Sequence, residues 1–187
     1  MDVTKAVHER RAFRSLLPAD ITGDLVRDLA RHAQLAPSCF NNQPVRFVFV
    51  GDPAALEALR PALSEGNRWA HDASLVVAVF SRKEDGCVIR DREYHQFDCG
   101  LAAAFLILRA TELGLVAHPI AGFSPKKVRE ALGIPDEYQV ITLIVCGRRN
   151  PEPNPVLSEK QKSWELERPE RLPLERIAFL DRYRKTE

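Results

Sequence analysis

Two short segments hold the residues best suited to chemistry, and the first is a run of three nearby arginines. Arg10, Arg11 and Arg14 place three guanidinium groups within five positions near the N-terminus. A planar guanidinium donates to two oxygens at once, so arginine is a preferred ligand of phosphate. Like charges at this spacing repel one another, and a bound anion would relieve that repulsion. These three arginines therefore indicate either a phosphate site or a solvated helix face. The second alternative is open because charge runs usually face solvent.

The second segment is a turn that offers hydroxyl, amide and backbone donors. It reads Ala-Pro-Ser-Cys-Phe-Asn-Asn-Gln-Pro over positions 36–44, after a helical pattern and before a strand. Pro, Ser and Asn favour turns on their own account, so an ordinary helix-to-strand connection is the alternative interpretation. No G-x-G-x-x-G or Walker motif follows any predicted strand, which disfavours a dinucleotide-binding Rossmann unit.

Size, charge and cysteine content limit the class of protein. A chain of 187 residues with 45% hydrophobic content suits one domain with a sizeable core. A formal net charge of +1 favours neither nucleic acid nor an anionic membrane as a partner. The charged N-terminus resembles no secretory signal, and the longest apolar run is too short to span a bilayer. The four cysteines show no metal-type pairing and no disulfide framework, so we expect a reduced, cytoplasmic setting and no metal.

The apolar pattern predicts an α+β protein. Helices are expected over residues 3–11, 22–35, 53–63, 94–113, 124–133 and 174–183, and strands over 46–50, 74–80 and 139–146. The helix over 94–113 is apolar nearly all round its middle, which is typical of a protein centre or a subunit interface. Five prolines after residue 148 predict an extended tail that is not closely folded on itself. We therefore predict a single domain over 1–187 whose 148–187 tail embraces a partner.

The order and spacing of these segments resemble the FMN-dependent nitroreductase family. The resemblance lies in Arg-Arg-x-x-Arg before Leu-Leu-Pro (10–18), the 36–44 turn, the long helix, Leu-Gly-Leu ahead of His-Pro-Ile-Ala-Gly-Phe (113–123), and Arg-Leu-Pro-Leu (171–174). Val45 stands where the family often has tryptophan. The resemblance implies a central, mainly antiparallel sheet flanked by helices, with the long helix at the interface of a homodimer.

The resemblance also implies the residues that bind FMN. In chain order these are Arg10, Arg11, Ala12, Arg14, Pro37, Ser38, Cys39, Asn41, Asn67, Pro119, Ile120, Ala121, Gly122 and Arg171. The family pattern gives Arg10, Arg11 and Arg171 to the phosphate and ribityl chain, and Arg14 to the flavin ring. The 36–44 turn would come from the second subunit, and the 119–122 backbone would lie near flavin N5. Asn67 matches the spacing less well and a family lysine is missing, so the group that stabilises charge at flavin N1 stays open.

The activity implied by the resemblance needs no protein nucleophile. NAD(P)H would give hydride to flavin N5, and a nitroaromatic, a quinone or a similar small electron-poor acceptor would then take it by a ping-pong mechanism. The preference for NADH or NADPH stays open. One alternative keeps the fold for dehalogenation or another reductive specialty, with residues 82–93 as a candidate lid. Another is a non-catalytic FMN-binding dimeric protein. His118 is interpreted as structural rather than catalytic.

Overall fold

An antiparallel sheet organises the computed structural model, which describes residues 2–185. In chain order the strands of the described chain are β1 (Leu16–Leu17), β2 (Arg46–Val50), β3 (Leu75–Ser81), β4 (Val88–Ile89), β5 (Arg92–Glu93), β6 (Val116–Ile120) and β7 (Gln139–Arg149). The main sheet runs β2-β3-β7-β6, all antiparallel, with β1 also paired to the end of β7. β4 and β5 form a separate hairpin. The β2 edge and the β6 edge are thus on opposite sides of the sheet.

Helices cover both faces of the sheet. They are α1 (Val3–Glu9), α2 (Gly23–Gln34), α3 (Pro53–Leu59), α4 (His95–Glu112), α5 (Pro125–Leu132) and α6 (Glu159–Leu166). Every residue of β3 is buried. Successive side chains of a strand point to opposite faces, so Val76 packs in the cluster that contains Trp69, and Val77 in the cluster that contains Leu106.

Local signals set most of these boundaries as the sequence predicts. The Thr22 hydroxyl accepts from the Leu25 backbone N–H and begins α2, as an N-cap should. Ser124 caps α5 in the same way, and Gly133 ends it in the left-handed conformation. The predicted first helix is too long, because Arg10 has a non-helical backbone and α1 stops at Glu9. Strand β6 was missed, since its five residues include a proline and show no clear alternation.

The tail after residue 148 differs from its prediction. It contains α6, where the Ser158 hydroxyl and the Gln161 side chain form a reciprocal capping box. The expected last helix over 174–183 is only a short 3-10 turn, Leu174–Arg176. Leu174, Ile177 and Leu180 there are 66%, 60% and 84% exposed, so these side chains gain too little burial to stabilise a longer helix. Whether this tail embraces a second subunit stays a prediction.

One face of α4 packs on the sheet while another carries exposed apolar side chains. Leu106 and Ala110 are fully buried, whereas Phe97 is 61% and Phe105 39% exposed. These two phenylalanines are eight positions apart and so lie on one side of the helix. No helix within residues 2–185 is both long and apolar enough to cross a membrane.

Candidate functional site

The segment that follows α1, residues 10–15, is held by hydrogen bonds on two sides, and we call it the arm. The Phe13 carbonyl accepts a hydrogen bond from His118 Nδ1 at 3.0 Å, which attaches the arm to β6. On the other side, the buried Glu165 carboxylate accepts from the backbone N–H groups of Arg14 at 2.8 Å and Ser15 at 3.1 Å. The backbone that presents Arg10, Arg11 and Ala12 is therefore held between β6 and α6.

Several arginines converge on this arm. Burial lowers the pKa of Arg10, and the neighbouring charges of Arg168 and Arg171 lower it further. The pKa of Arg11 is lowered by burial and then by Arg149 and Arg168, while Glu165 opposes the shift. We call Arg10, Arg11, Arg149, Arg168 and Arg171 the arginine cluster. The like charges around Arg10 and Arg11 lower the pKa of both side chains, so an anion bound among them would be stabilised.

Helix α6 orients two of the predicted arginines. Arg11 Nη2 donates to the Trp164 carbonyl at 2.7 Å, and its guanidinium carbon lies 4.6 Å from the centre of the Phe13 ring. The Arg14 guanidinium carbon lies 5.5 Å from the centre of the Trp164 ring. The sequence analysis missed Trp164 and Glu165 as positioning residues. The Ser-x-x-Gln capping pattern at 158–161 was the available signal for their helix.

Asn67 and the 119–122 stretch are brought together beside the arm. Asn67 Nδ2 donates to the Gly122 carbonyl at 2.9 Å, and Asn67 Oδ1 accepts from Trp69 Nε1 at 3.2 Å. A Cβ at residue 122 would lie 2.6 Å from Asn67 Nδ2, so this approach requires glycine. Trp69 in turn stacks on His118 with 4.8 Å between ring centres.

The remaining predicted residues at this edge differ in exposure. Pro119 and Ala121 are exposed, while Ile120 is buried in the core. Arg171 is exposed and donates to the Pro169 carbonyl at 3.3 Å. His118 is 7% exposed, and burial lowers its pKa to about 4, with Arg14 and Arg10 adding to the shift. His118 is therefore neutral near pH 7, with its Nδ1 hydrogen given to the arm.

The predicted turn residues form a second group at the β2 edge. Phe40, Asn41 and Gln43 have φ values of 50°, 56° and 50°, a left-handed conformation that costs about 1–2 kcal/mol for each non-glycine residue. The Ser38 Oγ accepts from the Gln43 backbone N–H at 2.9 Å, and the Cys39 backbone N–H donates to the Asp98 carboxylate at 3.2 Å. Such strain persists only where the surroundings hold the backbone in place.

A disulfide between Cys39 and Cys87 is the strongest of these restraints, with 6.0 Å between the two Cα atoms. The expectation of unpaired cysteines was therefore wrong for this pair. The bonded residues are 48 positions apart, and only the fold brings them together. Cys99 and Cys146 are free and buried.

A cavity of about 510 Å³ opens beside the turn. Its lining includes Arg31, Pro37, Ser38, Arg46, Phe47 and Phe49. Buried Asp98 also lines it, and burial raises the pKa of that carboxyl. A separate cavity of about 500 Å³ lies between Arg11, Arg149 and Arg168. The predicted site residues thus form two groups, one at the β2 edge and one by the β6 edge of the sheet. Three strand spacings, roughly 14 Å, separate these two edges.

Comparisons with known proteins agree on one family for the chain. The model of the nitroreductase family matches residues 7–69 and 65–148. A protein of Thermus thermophilus named NADH dehydrogenase is 26% identical, over 96% of each chain. A solved structure described as an oxidoreductase containing FMN is 27% identical, with a TM-score of 0.83 over 100% of this chain and 94% of that one. A nitroreductase family protein from Clostridium difficile 630 shares the fold at 21% identity, with a TM-score of 0.80 over 98% of this chain and 100% of that one. The predicted α+β nitroreductase-like fold is confirmed.

Proposed function

The chain belongs to the nitroreductase family, and we propose that it passes hydride from NAD(P)H through FMN to a small aromatic acceptor in a ping-pong cycle. It is an NAD(P)H-dependent oxidoreductase with FMN as its cofactor. The acceptor class, the kinetic form, the binding residues and the dimer are what the proposal adds.

The arginine cluster is the observation on which the proposal depends. Arg10 and Arg171 are far apart in the chain, yet the charge of Arg171 contributes to the lowered pKa of Arg10. The nearby carboxylate of Glu165 is already engaged by two backbone N–H groups. The cluster therefore keeps an excess of positive charge, and a phosphate group fits that excess through charge-assisted hydrogen bonds. The residues present thus suit the phosphate end of FMN.

The other residues of this edge would position the cofactor. When bound, FMN supplies the hydride-transfer chemistry, and the protein supplies binding, orientation and electrostatics. Arg10, Arg11 and Arg171 would hold the phosphate end. Arg14, placed by Trp164 and Glu165, would face the ring and stabilise negative charge there. Asn67 holds the 119–122 backbone in position by its bond to the Gly122 carbonyl.

A homodimer would unite the two groups of residues. The 36–44 turn lies at the β2 edge, and the arginine cluster lies by β6 on the other side of the sheet. A two-fold axis that pairs one chain's β2 edge with the other's β6 edge would give two equal sites. The exposed Phe97 and Phe105 of α4, and the apolar side chains of the tail, support burial of these surfaces in a dimer.

The cavity beside the turn supports an aromatic acceptor that carries a negative group. Phe47 and Phe49 offer ring faces, and Arg31 and Arg46 offer charge at the same wall. Arginine stacks on aromatic ligands and pairs with carboxylate or sulfonate oxygens. Quinones and nitroaromatics with an acidic substituent combine both features. We therefore propose that such acceptors are preferred over neutral ones of the same size.

Spectroscopy and steady-state kinetics test this function directly. The purified protein should bind FMN, show flavin absorbance and oxidise NADH or NADPH when a quinone is present. Initial rates at varied donor and quinone should give parallel double-reciprocal lines, because one exposed ring face serves both substrates in turn. A colourless protein that refuses FMN would contradict the cofactor assignment. Converging lines would contradict the shared site, and NADH oxidation distinguishes the enzyme from a non-catalytic binding protein.

A further inference from the structure

The Cys39–Cys87 disulfide has no part in the proposed hydride transfer, yet one of its two cysteines, Cys39, lies in the turn of the candidate site. We propose that this pair is a reversible redox site, whose oxidised form holds residues 38–43 in their binding conformation and whose reduced form releases them. The expected effect on cofactor and acceptor binding rests on the proposed function. The redox chemistry and the change in the turn do not.

The turn is the end of the bond that would move. Phe40, Asn41 and Gln43 all have positive φ, and the Phe40 side chain is 80% exposed and gives the turn little packing. Apart from the disulfide, few hydrogen bonds hold the turn to its surroundings. The Cys39 N–H donates to the Asp98 carboxylate at 3.2 and 3.4 Å. The exposed Arg46 Nη1 donates to the Gln43 carbonyl at 2.8 Å. A strained backbone with so few restraints relaxes when its covalent link is removed.

The Cys87 end is anchored much more firmly. The Cys87 carbonyl accepts from the Tyr94 backbone N–H at 3.0 Å, and the side chain is buried. The preceding Gly86 lies so close to the start of α4 that a Cβ there would be 2.7 Å from the His95 Cβ. Lys83 and Glu93 close the loop with an ion pair of 2.6 Å. Opening the disulfide should therefore leave residues 82–93 in place and free the turn.

The position of the turn makes its release consequential. Pro37, Ser38 and Gln43 line the cavity of about 510 Å³ that we assign to the acceptor. Relaxation of Gln43 would also break its backbone bond to the Ser38 Oγ. The wall of the cavity and the backbone donors of the turn would change together. A dithiol state should accordingly bind ligands at this edge less tightly.

The reaction is an ordinary thiol–disulfide exchange. To open the bond, two small-molecule thiols such as glutathione give up two electrons and two protons, forming one glutathione disulfide and the two thiols of Cys39 and Cys87. The reverse reaction restores the bond. The part of Cys39 that is exposed gives an attacking thiolate access, whereas Cys99 and Cys146 are buried.

Thiol trapping measures the redox site without reference to flavin. The protein is equilibrated with glutathione at several ratios of reduced to oxidised form and is then alkylated under native conditions. Its peptides are analysed by mass spectrometry. As the ratio rises, the linked peptide pair that contains Cys39 and Cys87 should disappear, and the partly exposed Cys39 should appear in its alkylated form. Cys99 and Cys146 serve as internal controls, because burial raises the pKa of these thiols to about 11 and about 12 and keeps them protonated. Free thiols at every ratio, or a bond that survives the most reducing ratio, would overturn the proposal.

Hydrogen exchange and binding measure the consequence. In the reduced protein, amides of residues 38–43 should exchange faster, while those of residues 82–93 should keep their protection. Equal exchange of the turn in both states would refute the conformational claim.

FMN affinity should fall by about three- to tenfold on reduction, since a released loop must be ordered again on binding. Cys87→Ser, which leaves Cys39 unbonded, should show the reduced value in every buffer. A protein that binds no FMN contradicts the proposed function, and the trapping and exchange results then still decide the redox site.

Discussion

The two edges of the sheet prepare a binding surface in opposite ways. At the β6 edge, hydrogen bonds from His118 and to Glu165 fix the arm without backbone strain, and the energy stored there is the mutual repulsion of arginines. At the β2 edge, a disulfide and Asp98 hold three left-handed residues, and the energy stored is conformational. A bound anion relieves the repulsion among the arginines, whereas loss of the disulfide relieves the backbone strain of the turn. The first edge should therefore respond to anions and pH, and the second to redox state.

The largest expected effect is the response of the β6 edge to acid. His118 has a pKa of about 4 in the folded protein, against about 6.5 when unfolded. Between those two pKa values, His118 is protonated in the unfolded chain but not in the folded chain. The free energy of unfolding is therefore unaffected by His118 above pH 6.5 and falls as the pH drops toward 4. The lowered pKa corresponds to a loss of about 3 kcal/mol in the free energy of unfolding. Denaturant titrations of wild type and His118→Gln at several pH values should show a flatter decline in the variant.

Asp98 supplies the contrasting control at the other edge. Burial raises the pKa of its carboxyl, so its contribution has the opposite sign: it is fully present in acid and is lost as the pH rises through the folded pKa. Asp98→Asn should therefore make the acid decline steeper than in wild type. The same slope in wild type and both variants would show that neither buried group governs the acid response.

The second effect concerns the anion that the arginine cluster should bind. Losing one charge-assisted hydrogen bond costs about 1.5–3 kcal/mol, so Arg10→Ala should weaken FMN binding by about ten- to hundredfold. Fluorescence titration with FMN measures it. Arg60→Ala is the matched control, because Arg60 pairs with Glu57 on α3, away from the cluster. Unchanged affinity in both Arg10→Ala and Arg171→Ala would refute the phosphate assignment.

The same contrast explains what the sequence could predict. Caps such as Thr22 and Ser124 act over three residues, and the buried run of β3 is continuous, so these elements follow from local pattern. The bond from the Arg14 N–H to Glu165 joins positions 151 apart, and the disulfide joins positions 48 apart. No spacing rule encodes such pairs, because the folded chain alone brings them together. Helix α6 was locally predictable from its capping box, but the surrounding prolines favoured an extended tail.

The third effect should appear in acceptor preference at the β2 edge. Arg31→Gln removes a charge from the cavity wall while keeping much of the side chain's size. The kcat/KM for 1,4-naphthoquinone-2-sulfonate should fall by about tenfold, near the low end for a bond to a charged group. The value for neutral 1,4-naphthoquinone should stay within about twofold, since only uncharged contacts bind it there. An equal loss for both quinones would mean that Arg31 supports the fold rather than the selection of acceptors.

The smallest effect should come from the cysteine of the turn, if flavin performs the chemistry and the thiol does not. Cys39→Ser removes the disulfide and frees Cys87, but the cofactor-borne hydride transfer needs no thiolate. With FMN saturating, the variant should keep at least about a tenth of the wild-type rate, because a lost neutral hydrogen bond is worth only about 1 kcal/mol. Cys87→Ser should behave alike, since each substitution breaks the same bond. A several-thousandfold loss in Cys39→Ser alone, with FMN still bound, would instead assign the sulfur of Cys39 a direct part in the reaction. The β2 edge would then contribute chemistry as well as shape.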